Sequence, residues 1–255
     1  MMEDVNDIKL ALDSIWDNES FKFLRDSVLW QRRFWFPVND LQSDVLITGI
    51  NPSYKSGDDN PEPIRTSDLL SDTGAYHPYW TSLRRIVYED RPERRTAANP
   101  DFRDRTSVLD LFYFREKNQD YLRNVILKKW PVAEAIPFLV SQLQLTQRRI
   151  ESMKPRLIIV KNEESHAYWG KLDSPAKECI WMGYKFEDIP YRNGRWTLSR
   201  IVGINPGNIS GIQSSELVKR NTLVLFVPHI NQYTRVEDRP TPEVVRDLLE
   251  MQKIK

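Results

Sequence analysis

Four short apolar runs, separated by helix-length stretches, constrain this chain more than any other feature. They are Val45–Ile47 in "DVLITGI", Val108–Phe112 in "SVLDLFYF", Leu157–Val160 in "PRLIIVKN" and Leu223–Val227 in "TLVLFVPHI". A short continuous apolar run bounded by turn residues fits a strand buried on both faces. The stretches between the runs are long enough for crossover connections, so the strands are expected to be adjacent and mainly parallel. Strands alternating with helices predict an α/β domain. "RWTLSRIVGI" fits an extra strand.

The stretches between read as helices. Val5 to Trp35 carries apolar residues at near-helical spacing. "HPYWTSLRRIVYE" puts Pro78 in a first turn and sets Tyr79, Leu83, Ile86 and Val87 on one face. Gln119 to Lys129 and Val132 to Ser152 are helical, and "EESHAYWGK" is a short helix. "TPEVVRDLLEMQKI" is a helix with Thr241 as its cap and Pro242 at its first position. Residues 51–74, rich in Asp, Ser, Pro and Gly, form a long surface loop, a kind that is usually functional or disordered. With 255 residues, 40% of them hydrophobic, the chain can bury one large core. The expectation is a single domain over 1–255, with an N-terminal helical extension to about residue 40 and an insertion over about 175–220.

Several classes of function are disfavoured. No apolar run is long enough to span a bilayer, and "MMEDVNDIKLALD" lacks the basic-then-apolar layout of a signal peptide. The expected setting is cytoplasmic, without a membrane partner. The single cysteine, Cys179, excludes an internal disulfide and any cysteine-held cluster, and reads as a small buried residue. His77, His166 and His229 lie far apart, without metal-ligand spacing. There is no Gly-rich nucleotide loop and no nucleophile elbow. A net charge of +1 argues against holding nucleic acid by bulk charge, while leaving a local basic face open.

In parallel sheets, ligands bind beyond the carboxyl ends of the strands. That rule selects the loops after Ile47, Phe112 and Val227. The first holds Gly49, Ile50, Asn51, Pro52 and Ser53. Gly49 permits close backbone approach, and Pro52 stiffens the turn at Asn51. An amide at that place can orient a water or a base edge, although it is no proton acceptor at neutral pH. A plain strand-exit turn uses the same residue types. The last loop, "FVPHINQY", offers His229 and Asn231; His229 suits proton donation, or packing and capping. In "GAYHPYW", Tyr76 is placed to stack on a planar ring, whereas Tyr79 and Trp80 read as anchors of the helix. "DRPERRTAANPDFRDR" reads as a solvated loop, or as arginines for phosphate contact. Gly-Ile-Asn-Pro also occurs a second time, at Gly203–Pro206, with flanks unlike those of the first copy.

Taken in order, "VLITGINPS", "YHPYWTSLRRI", "PRLIIVKNEESHAYW" and "LFVPHINQYT" resemble the uracil-DNA glycosylase superfamily. The likeness is strongest to its mismatch-specific and thymine-DNA glycosylase branch. The resemblance implies a three-layer α/β/α sandwich with a mainly parallel central sheet. It implies hydrolysis of the N-glycosidic bond of a uracil-type, mismatched or damaged base, with no cofactor and no metal, by a monomer acting on single- or double-stranded DNA. By the same resemblance, Asn51 holds the attacking water and His229 stabilises the anionic base. Tyr76 stacks on the flipped base, Tyr113 in "FYFR" adds a pocket contact, and Gly49, Ile50, Pro52, Ser53 and Asn231 line the site. "PHINQ" keeps the histidine but lacks the Pro-Ser that follows it in the uracil-specific branch. The second Gly-Ile-Asn-Pro falls where the pattern has no catalytic loop, and reads as a turn outside the site. Two other functions fit the same residues: a catalytically silent module that binds a nucleobase-containing ligand or a single strand, and an enzyme acting on a free nucleoside or nucleotide.

Overall fold

The structure, a computed structural model, describes residues 2–57, 61–71, 77–91, 93, 95, 100–117, 120–171, 180–191 and 195–253. Six strands form one mixed sheet: β1 (Val45–Gly49), β2 (Thr106–Asp110), β3 (Leu157–Lys161), β4 (Tyr184–Ile189), β5 (Thr197–Ile204) and β6 (Leu223–Val227). Their order is β2-β1-β3-β6-β5-β4. The first four in that order run parallel. β5 lies antiparallel to β6, and β4 antiparallel to β5. The four apolar runs are therefore neighbours in a parallel block, and "RWTLSRIVGI" supplies the strand beside it.

Side chains alternate across the parallel block, as a period of two requires. Leu46, Ile158, Val160, Val224 and Phe226 enter one apolar layer. Val45, Ile47, Val108, Ile159, Leu225 and Val227 enter the other. The helices Val5–Trp16 and Val132–Met153 contribute to the first layer; Pro78–Val87 and Pro242–Met251 contribute to the second. Helices thus cover both faces. Each fully buried aliphatic side chain supplies about 1.5–3 kcal/mol, so the two layers hold the sheet far more firmly than its surface ion pairs can.

Some expectations need correction. β2 starts and ends two residues earlier than its apolar run suggests. The backbone N–H groups of Tyr113 and Phe114 donate to Gln142 Oε1, at 2.8 and 3.2 Å, which turns the chain onto the long helix. The stretch from Val5 to Trp35 is three helices, Val5–Trp16, Lys22–Arg25 and Val28–Arg32, broken at polar residues. These helices pack into the core. Trp16, Phe21, Leu24, Leu29 and Phe36 belong to the long helix's apolar layer, and Glu3 makes a buried ion pair with Arg149 at 2.6 Å. β4 was not legible as a strand, because only some of its residues are buried. Thr241 precedes the last helix in extended conformation but makes no side-chain capping bond. Cys179 lies outside the described residues. Among the described residues, no helix is long and apolar enough to cross a membrane.

Candidate functional site

The pairing register sets the residues of one strand-end row side by side. Gly49 pairs with Asp110, and Lys161 with Val227; Thr48 pairs with Val160, which brings Gly49 level with Lys161. Asp110, Gly49, Lys161 and Val227 therefore end the four parallel strands in one line. Residues two positions earlier on these strands, Ile47, Val108, Ile159 and Leu225, all face the Pro78–Val87 helix layer. By alternation Asp110 and Lys161 point the same way. Gly49 between them has no side chain, and a Cβ there would stand 2.1 Å from Asp110 Oδ1 and 3.1 Å from the Tyr79 hydroxyl. The glycine thus leaves the space that the carboxylate occupies.

Tyr79, from the first turn of the helix above, completes this group. Its hydroxyl donates to Asp110 Oδ1 at 3.3 Å, and Lys161 Nζ lies 3.9 Å from its ring centroid. Asp110 and Lys161 are 5% and 4% exposed, an unusual degree of burial for charged residues. Burial pushes the Asp110 carboxyl up to about 6, against the opposing pull of the Lys161 ammonium and the Tyr79 hydroxyl. Burial likewise brings the Lys161 ammonium down to about 8, with Asp110 opposing. The Tyr79 phenol is held well above its ordinary value, by burial and then by Asp110.

Two clefts open beside this row and share Ser53 and Tyr79. The larger, of about 280 Å³, is lined by Asn51, Lys161, His229, Asn231, Glu116 and Tyr233, among others. The smaller, of about 210 Å³, has Asp110, Pro52 and His77 on its walls together with the rings of Trp35, Tyr79 and Trp80. Asn51 and His229, at opposite ends of the sequence, are thus brought together by the sheet.

The bonding of Asn51 is asymmetric. Its amide nitrogen donates to the Pro52 carbonyl at 3.1 Å and to the Glu116 carbonyl at 3.3 Å. Both partners are acceptors, so the nitrogen must face them. Its oxygen is buried and, among the described residues, has no hydrogen-bond partner. A buried acceptor without a partner is costly, and such groups are uncommon in native proteins. Glu116 is in turn fixed by donation of its own N–H to Pro52 O at 3.1 Å and by an ion pair with Arg32.

His229 follows β6 at the rim of the cleft. Desolvation by the surrounding walls, and then the Lys161 charge, hold its pKa below the ordinary histidine value. At neutral pH it is therefore a neutral imidazole, able to donate one N–H. Asn231 spends its side-chain oxygen on the Tyr233 N–H at 2.8 Å, making a turn that leaves Tyr233 82% exposed at the mouth.

The remaining expectations divide. Ile50 is 2% exposed and belongs to the core, so it contributes only its backbone; its carbonyl accepts from Phe112 N–H. Tyr113 is also core rather than cleft: its hydroxyl meets Thr146 and Arg149, each at 3.2 Å, under the long helix. The carboxyl end of β2 is supplied by Asp110 instead. Tyr76 lies outside the described residues. Tyr79 is more than a helix anchor, since it lines both clefts. His77 accepts from Trp80 N–H at 3.4 Å and so caps its helix. In the Arg-rich loop, Arg91 and Arg103 pair with Glu89 and Asp101 of the same segment, as a solvated loop would.

Asn205 of the second Gly-Ile-Asn-Pro is remote from this site. β5 runs against β6, with Arg200 level with Leu223, so residues after Arg200 pass the amino end of the parallel block. Asn205 follows β5 there, with its N–H donating to Gly183 O at 2.7 Å. No known protein-family model matches the chain, and no curated protein matches it.

Proposed function

We propose that this cleft hydrolyses an N-glycosidic bond in DNA. The observation that carries the reading is the Asn51 oxygen, an acceptor without a partner, in a residue that lines a cleft with His229. Such an oxygen can hold a water by accepting one of its protons, while the two carbonyls behind fix the amide. Cleavage leaves negative charge on the departing base. The neutral His229 imidazole donates to it, and a donor aimed at developing charge acts mostly in the transition state.

The two adjoining clefts together suit the extruded base, because enzymes that act on a base take it out of the stack. The aromatic walls of the smaller offer planar contacts, and Asp110 presents a carboxyl at its inner end. Tyr76, which directly precedes the cleft-lining His77, is the proposed stacking ring. The uracil-DNA glycosylase-like form of the α/β sandwich belongs to this same reading. It is supported by the parallel block with its ligand loops at the carboxyl edge.

The test is base release from oligonucleotides carrying uracil, hypoxanthine or mismatched thymine. Release that depends on Asn51 and His229 supports the proposal. Binding of such oligonucleotides without release would select the silent binding module, a reading favoured by the amide standing where a stronger base would be a carboxylate. Activity confined to mononucleotides would select the nucleoside enzyme.

A further inference from the structure

Lys161 is the group in the cleft that the hydrolytic reading leaves without a task. It is 4% exposed, yet it lines the same cleft as Asn51 and His229. Among the described residues its Nζ makes no hydrogen bond and no ion pair; its close contact is the face of Tyr79. Asp110 acts on it across Gly49, through space. A buried ammonium with so little compensation is costly, and an apolar side chain of similar length would fill the place at lower cost. A buried lysine held over an aromatic ring and open to a cleft has the setting of a nucleophilic amine. Its ammonium is also easier to deprotonate than usual, through burial.

Hydrolysis of an N-glycosidic bond leaves a hydroxyl on the sugar carbon C1′, and that hemiacetal equilibrates with an open-chain aldehyde. We propose that Lys161 forms an imine with the C1′ aldehyde of an abasic sugar, giving the site a second activity: covalent capture of its own product. The nitrogen lone pair adds to C1′, the carbonyl π pair moves to oxygen, and one N–H proton passes to that oxygen. The carbinolamine hydroxyl takes a second proton from the Asp110 carboxyl or from solvent and leaves as water, the nitrogen lone pair forms the C=N bond, and the remaining N–H proton returns to Asp110 or solvent. Amine and aldehyde thus give imine and water, with no oxidant or reductant. The step is reversible, and it rests on the glycosidic reading only for the origin of the sugar.

The experiment therefore supplies the aldehyde directly. The full chain is mixed with an oligonucleotide that already contains an abasic site, in the presence of cyanoborohydride, which delivers hydride to an imine and leaves a stable secondary amine. A covalent protein–DNA band is expected on a denaturing gel, with the mass increment on the peptide containing Lys161. Lys161→Arg should reduce the band at least tenfold, and Lys161→Met likewise, provided each shows a cooperative thermal transition. Where neither variant folds, the mapped peptide of the unmodified chain decides. Absence of the band, or an adduct mapped to Lys117 or another amine, would overturn the inference. Base release without trapping refutes the imine alone; trapping without base release leaves the imine standing and removes the hydrolytic reading.

Discussion

The two copies of Gly-Ile-Asn-Pro have the same letters and opposite fates. Asn51 gives its amide nitrogen to two carbonyls and keeps its oxygen buried and, among the described residues, unpaired. Asn205 uses its oxygen to accept from Gly207 N–H at 2.9 Å and so closes its own turn. The glycines differ as well. A Cβ on Gly49 would collide with Asp110, whereas the atoms nearest to one on Gly203 belong to the flexible Lys185 side chain, no nearer than 3.5 Å. What separates the copies is strand direction. One follows a strand of the parallel block and reaches the ligand edge; the other follows an antiparallel strand and reaches the far edge.

The comparison is most exposed to failure at the asparagines and His229. Asn51→Ala and His229→Ala should each lower single-turnover base release by roughly 10²–10³-fold, the cost of removing one group aimed at the transition state. Asn205→Ala should leave the rate unchanged. Equal losses at Asn51 and Asn205 would mean that both act through stability alone.

The charged row gives the next largest effect, and its sign follows from linkage. A carboxyl raised from 3.8 to about 6 in the fold binds a proton there that the unfolded chain has already lost. Stability contributed by Asp110 is therefore greatest below pH 4 and falls as pH rises to about 6, by up to about 3 kcal/mol. Denaturant titrations of the native chain and of Asp110→Asn, run at pH 4 and at pH 6.5, should show the native chain losing ground to the variant on the way up. The opposite trend would mean that Asp110 is stabilised, not penalised, by its surroundings.

Smaller effects separate the glycines. Gly49→Ala forces the Asp110 carboxylate aside and should cost about 1–3 kcal/mol, as overpacking does. Gly203→Ala should stay within about 0.5 kcal/mol, as surface substitutions do. Thermal midpoints of the two variants, measured side by side, are sufficient. Between the two, Asn205→Ala should lose the worth of one turn hydrogen bond, about 0.5–1.5 kcal/mol, read from the same melts.

The parallel block was legible in the sequence because its strands are buried on both faces and therefore read as unbroken apolar runs. β4 was not, since "YKFEDI" sits at the sheet edge with most of its side chains exposed or half-buried. Asn51 and His229 were legible as polar residues just past apolar runs. Lys161 gave the same kind of signal one step earlier, as a single charge ending an apolar strand, whereas Asp110 stands inside its apolar run. Such a charge ordinarily reads as a solvated end. Only the register, which lines the two up across a glycine, and the Pro78–Val87 helix, which covers them, bury both charges beneath the same helix. Tyr113 was misplaced for a related reason: "SVLDLFYF" gives no sign that the strand stops at Asp110 and that Gln142 draws the rest toward the long helix.

The charged row also bears on how faithfully the chain can fold. Parallel strands made of Val, Ile and Leu are poorly distinguished from one another by their own side chains, and a slip by one residue turns every side chain to the other face. A slip of β3 would turn the Lys161 ammonium toward the layer of Trp16 and Phe138, away from Asp110. An uncompensated buried charge costs several kcal/mol, enough to reject the slipped pairing. The same two charges that mark the cleft thus act as a key for strand alignment, so that a chain whose strands mispair fails before it can present a defective site.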